Sequence, residues 1–319
     1  MERIKEKVKQ YRWNYKGRIL PIGVGCGSIG RGENEEKSIR EKEISNGSEH
    51  LLKCHEAGFR YYDTSRSYGD SELAVGGFVK QIDRKSIFLA TKSAFRAEWE
   101  EKDSFEMFKK RFYESFERLN TDYIDLFQIH DRNSFQAATE KVIPFLEDRQ
   151  KDGMIGYIGQ GTRDVTAHEQ AIASGKVQSV LTYLEYNLIK CSTKRAIQLA
   201  KKHDVLFLNA SVFNYGMYKE NHEFAKDAVG LAARKNEQAI EMRELCKSMG
   251  IDIMAASLQF SLLNPDIDIL LAGIRNESNL QATLKQIETP IYPEQWAAIE
   301  KLQRTFENFE IQEEYGQHY

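Results

Sequence analysis

The sequence predicts a single-domain (β/α)8 barrel, and three observations predict it. Eight short apolar runs alternate with longer amphipathic stretches, each run is apolar along nearly its whole length, and no low-complexity linker divides the 319 residues. A strand apolar on both faces is suited to burial between layers, as in a parallel sheet covered by helices, and eight such units are the number that closes a barrel. An open doubly wound sheet is the alternative arrangement of the same elements.

In chain order the expected strands are ILPIGVG, FRYYD, SIFLAT, YIDLFQIH, IGYIGQ, SVLTYLEY, VLFLNA and DILLAG. Between them, EHLLKCHEAG, SELAVGGFVKQ, SFEMFKKRFYESFERLN, AATEKVIPFLEDRQKDG, TAHEQAIASG, TKRAIQLAKKHD, EQAIEMRELCKSMG with MAASLQFSLLNP, and ESNLQATLKQI are expected to be helical. Gly58, Gly153, Gly175 and Gly250 fall where helices should stop. Residues 1–16 are expected to be a leading segment, 17–305 the barrel and 306–319 a tail rich in aromatic and acidic residues.

The charge balance is mild, 45 basic against 48 acidic side chains, which leaves no electrostatic footprint for nucleic acid or an anionic membrane. A small-molecule partner is favoured, on a monomer or small homo-oligomer. Cys26, Cys54, Cys191 and Cys246 are scattered, so neither a zinc site nor a disulfide framework is expected, and no metal is assigned. The N-terminal MERIKEKVKQYRW has no apolar stretch to act as a signal peptide. No later run approaches the roughly 20 apolar residues of a membrane span, and a cytoplasmic location is expected.

Gly25, Gly27 and Gly30 satisfy G-x-G-x-x-G after a strand, the pattern of a dinucleotide-binding βαβ unit. That pattern needs a helix to begin at once, so that its N-terminus can hold a pyrophosphate. The residues that follow, RGENEEKSIREKEISNGSEH, contain only Ile39 and Ile44 as apolar side chains. They are therefore expected to form a solvated loop, with the glycines making a tight strand exit.

In a barrel of this type the active site lies at the C-terminal ends of the strands. The second expected strand ends in Asp63, with Tyr68 five residues on; the third runs into Lys92; the fourth ends in His130. Each alone also fits a plainer role, as a turn cap, a surface cation or a satisfied polar group. Together they bring an acid, a phenol, an amine and an imidazole to one end of three neighbouring strands.

The stretches GFRYYDTSRSYGDSELAVGGFV, IFLATKS, RLNTDYIDLFQIHD and GIRNESNLQATL resemble those of the aldo-keto reductases, in the same order and spacing, from about Leu20 to about Tyr292. VLTYLEYNL and LNASVFNYGM are similar to the sugar and aldose dehydrogenase branch. The resemblance implies a nicotinamide-dependent oxidoreductase that interconverts a carbonyl with its alcohol or lactone. Tyr68 would be the proton donor or acceptor, tuned by Lys92 and Asp63, and His130 would hydrogen-bond the reacting oxygen. The physics agrees in kind, since an ammonium near a phenol favours the phenolate. The hydride must come from the cofactor, because no side chain donates one.

By the same resemblance, Gly273, Ile274, Arg275 and Asn276 would approach the phosphates of NAD or NADP, and Ser211 would also contact the nucleotide. Gly161 and Thr162 stand where a Ser-Asn pair usually clasps the nicotinamide carboxamide. Tyr183 replaces a common glutamine and Ala210 a stacking tyrosine. Asn279 occupies a position that is often arginine, which leaves the choice between NAD and NADP open. Substrate-side candidates are Phe95, Arg96 and Trp99, then Asp131 and Arg132, then Phe213, Asn214 and Tyr215. For the aromatic tail residues Phe306, Phe309, Tyr315 and Tyr319 the sequence leaves two alternatives open, folding over the mouth or disorder. Two other activities fit the same four groups: a lyase or epimerase that uses bound nicotinamide transiently, and a nucleotide-binding module that senses redox state.

Overall fold

A computed structural model of the chain describes residues 2–30, 36–95, 103–131, 135–224 and 229–306. Eight parallel strands close on themselves: β1 (Ile22–Gly25), β2 (Tyr61–Asp63), β3 (Phe88–Phe95), β4 (Ile124–Asp131), β5 (Ile155–Gly161), β6 (Ser179–Tyr183), β7 (Leu206–Ala210) and β8 (Ile269–Ala272). Leu270 paired with Ile22, and Ala272 with Val24, join the last strand to the first. The sheet is a closed barrel, not the open alternative.

Around it run α1 (Lys37–Glu56), α2 (Ser71–Val79), α3 (Asp103–Leu119), α4 (Val142–Lys151), α5 (Val165–Ser174), α6 (Lys194–Lys202), α7 (Ile253–Leu262) and α8 (Glu277–Glu288), with a further long helix at Gly230–Ser248. Gly58, Gly153, Gly175 and Gly250 all have positive φ, as expected of residues that end helices. No helix among the described residues is long and apolar enough to cross a membrane.

Side chains alternate along each strand, so one set fills the barrel and the other packs under the helices. Tyr61, Phe88, Ala90, Leu126, Tyr157, Leu181, Leu208 and Leu271 form the interior cluster. Tyr62, Leu89, Phe127, Ile129, Ile158, Val180 and Phe207 belong to the outer layer. Continued by two residues towards the C-terminal mouth, the inward series reaches Asp63, Lys92 and Gln128, and by two more on β4 it reaches His130. The alternation that builds the core therefore also aims the candidate chemistry.

Three regions depart from the sequence reading. The expected first strand, ILPIGVG, is split at Pro21: Arg18–Leu20 pairs with Trp13–Tyr15 in a hairpin, and β1 starts at Ile22. Lys16 and Gly17, both at positive φ, make its two-residue turn. Trp13 stacks on Phe59 with ring centroids 4.3 Å apart, and Ile4 and Val8 of a short N-terminal helix join the interior cluster. The expected solvated loop is corrected from Lys37 onward, where α1 begins. Its first five residues are exposed, with Lys37 and Glu41 one turn apart, and burial starts only at Gly47. A first turn with no buried face carries no periodic signal. Finally, Pro293–Gln303 is a helix absent from the sequence reading, and Phe306 beyond it is buried. Phe309, Tyr315 and Tyr319 lie outside the described residues.

Candidate active site

Asp63, Tyr68, Lys92 and His130 line one cavity of about 350 Å³ at the C-terminal mouth. Asp63 and Lys92, 4% and 1% exposed, form an ion pair inside the barrel. The ammonium also donates to the Thr64 carbonyl at 2.7 Å and lies 5.0 Å from the centroid of the Tyr68 ring. His130 meets that ring edge-on, with centroids 5.7 Å apart and planes at 86°.

Strand register fixes this arrangement. β2 is short and exits at Asp63, and the turn that follows is held by hydrogen bonds from Thr64 N to the Ala90 carbonyl and from Arg66 N to the Lys92 carbonyl. Tyr68 N then donates to the Ser65 carbonyl, which folds the phenol back over the mouth. Two glycines of β5 leave room for the long side chains. A Cβ at Gly159 would come within 3.0 Å of Gln128 Cγ, and one at Gly161 within 3.4 Å of Lys92 Cδ.

Burial pushes the Asp63 carboxyl above its ordinary value, while the ion pair with Lys92 and a 3.0 Å hydrogen bond from Gln128 Nε2 pull against that push. A buried pair of this kind stands only because both charges are compensated. Gln128 is absent from the sequence reading, although its signal was there: it lies two residues before His130 and so shares the inward face. Ser65 was also overlooked. Fully buried, it contacts His130 Nδ1 at 3.1 Å.

The other candidates divide. Gly161, Tyr183, Ser211, Phe213 and Gly273 line the same cavity, as do Ala210 and Tyr215. Arg275 and Asn276 line a second cavity of about 610 Å³ between the β8 exit and α1, together with His50, Lys53 and Glu277. Ser28 of the β1 exit borders both. Beneath Tyr183, Arg163 forks onto Glu185 at 2.9 and 3.0 Å, its guanidinium 6.0 Å from the Tyr183 ring.

Several candidates carry structural hydrogen bonds or core contacts. Thr162 is buried, its hydroxyl accepting from Asp164 N and its carbonyl from His168 Nε2, which ties the β5 exit to α5, whose cap is Asp164. Ile274 is buried, with its carbonyl accepting from His50 Nε2 at 3.0 Å. Asn276 Oδ1 caps α8 by accepting from Asn279 N at 2.9 Å. Asn214 is 1% exposed and donates to Asn187 Oδ1 and the Tyr218 hydroxyl. Phe95 is 4% exposed in the outer core, edge-on to Phe108. Arg96, Trp99 and Arg132 lie outside the described residues, and nothing is described of the Asp131 side chain.

Comparison with known proteins agrees with this architecture. Residues 21–304 match the sequence pattern of the Aldo/keto reductase family. L-galactose dehydrogenase of Arabidopsis thaliana is 27% identical over 239 residues, covering 72% of this chain and 74% of that protein. D-threo-aldose 1-dehydrogenase of Pseudomonas sp is 22% identical over 277 residues, covering 76% and 84%. In fold, the holo form of aldo-keto reductase AKR11C1 from Bacillus halodurans superposes with a TM-score of 0.71 at 21% identity, covering 91% of this chain and 95% of the other.

Proposed function

The chain belongs to the Aldo/keto reductase family and is an NAD(P)-dependent oxidoreductase; on that premise we propose that it interconverts a sugar or aldehyde carbonyl with its alcohol or lactone, using Tyr68 as acid and base. The observation that carries the reading is the Lys92 ammonium, paired with Asp63 and 5.0 Å from the Tyr68 ring, inside a cavity that His130 also lines.

The residues present fit a nicotinamide dinucleotide. The two cavities share Ser28 and flank the connection from β8 to α8, a layout that suits an extended ligand. Gly161, Tyr183, Ser211 and Gly273 would hold the nicotinamide end, and Arg275 with the N-terminus of α8 the phosphate end. When bound, that group supplies or accepts the hydride. The second cavity carries Glu43, Glu49 and Glu277 against Lys53 and Arg275. With neutral Asn279 in the first turn of α8, this balance favours the 2′-hydroxyl of NAD over the 2′-phosphate of NADP.

Within the chain, Lys92 favours the phenolate of Tyr68 electrostatically, Asp63 keeps the ammonium charged and in place, and Gln128 holds the second Asp63 oxygen. Tyr68 moves the proton to or from the reacting oxygen, and positioned acid-base chemistry of this kind is worth about 10²- to 10⁴-fold. Phe213 and Tyr215 at the mouth suit the CH faces of a sugar. The test is a fluorescence titration with NADH and NADPH, then a panel of aldoses, ketoses and simple aldehydes followed at the nicotinamide absorbance band. Tighter NADH binding and net absorbance change with a sugar support the reading. Turnover without net absorbance change would favour the lyase or epimerase reading instead.

A further inference from the structure

Tyr183 ends β6 and lines the cavity of the four candidate groups. Arg163, whose guanidinium lies over the Tyr183 ring at 6.0 Å from its centroid, is not among the described residues lining that cavity. The ring therefore stands between the cation and the cavity, one face towards each. Arg163 is fixed from behind: its Nε and one terminal nitrogen both donate to Glu185 Oε1, at 3.0 and 2.9 Å. The other oxygen of Glu185 accepts from Ser192 Oγ at 2.9 Å and pairs with Lys190 at 2.7 Å. Glu185 is 2% exposed, and a carboxylate so deeply buried stands only with such compensation. Leu184, between Tyr183 and Glu185, has a left-handed φ of 66°, uncommon for a residue that is not glycine. Its N–H donates to the Ala210 carbonyl at 3.3 Å and its carbonyl accepts from Asn187 Nδ2 at 2.8 Å. A strained backbone and a buried ion cluster thus converge on the placement of one ring.

The cavity beside that ring is walled by small residues. Ala210 is the register partner of Tyr183 on β7, Gly161 lines the β5 side, and a Cβ at Gly273 would meet nothing within 4 Å. Leu181 and Leu271 of the interior cluster also line it and make an apolar floor. A flat ring can therefore lie along Tyr183 without meeting a bulky side chain from β5, β7 or the β8 exit. We infer that Arg163, carried on Glu185, is a positioning residue that backs the Tyr183 ring, and that the opposite face of this ring is the platform on which the nicotinamide lies. The inference rests on the dinucleotide reading above. It adds the contact by which the nicotinamide end is held, and two residues, Arg163 and Glu185, that serve the ligand from behind Tyr183.

Calorimetric titration of the full chain with NADH and with ADP-ribose, the same nucleotide without its nicotinamide, separates the ring contact from the rest of the ligand. Tyr183→Leu should weaken NADH about tenfold and ADP-ribose by less than about twofold, since stacking on an aromatic ring is worth roughly that much. Tyr183→Phe, which keeps the ring, should leave both affinities within about twofold of the wild type. Arg163→Met should weaken NADH about threefold and leave ADP-ribose unchanged, because the ring loses its backing cation. Arg163→Lys, which keeps a cation for Glu185 but not the planar group over the ring, should show the same split and serves if Arg163→Met folds poorly. Parallel losses for the two ligands in the Tyr183→Leu or Arg163 variants overturn the inference, since a role confined to folding would weaken both. So do an unchanged NADH affinity in those variants, or a Tyr183→Phe as weak as Tyr183→Leu. A wild type that binds neither NADH nor ADP-ribose brings down the dinucleotide reading, and the inference with it.

Discussion

Two arcs of the barrel rim were assigned candidate residues, and they behave differently. On the arc from β2 to β4, Asp63, Tyr68, Lys92 and His130 all reach one cavity. On the arc from β5 to β8, Gly161, Tyr183, Ser211 and Gly273 do so, whereas Thr162, Ile274 and Asn214 are buried in hydrogen bonds that shape the loops. The difference lies in what aims a side chain. At a strand end the two-residue alternation continues from the core and decides the direction. In a loop the direction is set by partners distant in sequence, such as His50 for Ile274.

If the β2–β4 arc is a single electrostatic unit, breaking it should cost most. Lys92→Met leaves Asp63 buried without its cation, and about 3–5 kcal/mol of stability should be lost by urea unfolding. The double variant with Asp63→Asn should recover much of that loss. Equal destabilisation of the single and double variants would mean the pair is not coupled as described.

The β5–β8 arc predicts a pH effect. His168, buried in α5, has its pKa lowered to about 4 by burial, against 6.5 ordinarily. As pH falls below 6.5 the unfolded chain takes up a proton that the folded one refuses, so stability drops until about pH 4. The total is about 3 kcal/mol at roughly 1.4 kcal/mol per unit. In His168→Gln, which keeps a donor for the Thr162 carbonyl, the stability difference between pH 7 and pH 4 should shrink by that amount. An unaltered difference would remove His168 from the account.

The smallest effect belongs to Asn276, which both borders the second cavity and caps α8. Asn276→Ala should lower stability by about 1 kcal/mol through loss of the α8 cap. Asn276→Asp, which keeps the cap, should be nearly neutral when thermal unfolding is compared at one pH. A large loss of nucleotide affinity with unchanged stability in Asn276→Ala would mean that the side chain serves the ligand and not the cap.

The eight strands were legible because burial on both faces leaves a continuous apolar run that a helix of similar length does not. Asp63, Lys92 and His130 were legible for the same reason, once the runs were counted to their ends, and Tyr68 through its place in the turn just beyond Asp63. The first turns of α1 were not, because a helix segment with every face in water has no period to read. The hairpin at Trp13–Leu20 was hidden by Pro21, which breaks an apolar run without changing its composition. Ser65 and Gln128 were within reach of the sequence and were passed over, one as a small turn residue and the other as part of a strand. Their importance lies in hydrogen bonds across 65 positions of chain, a relation no local pattern carries.

The central claim is that Tyr68 exchanges the proton while other residues hold the nucleotide, and one comparison reaches it directly. NADH and NADPH affinity and turnover are measured side by side on the wild type and Tyr68→Phe. The expected outcome is a dissociation constant changed less than twofold and a turnover reduced by about 10²- to 10⁴-fold. Turnover that survives in Tyr68→Phe would contradict the assignment of the proton to this phenol.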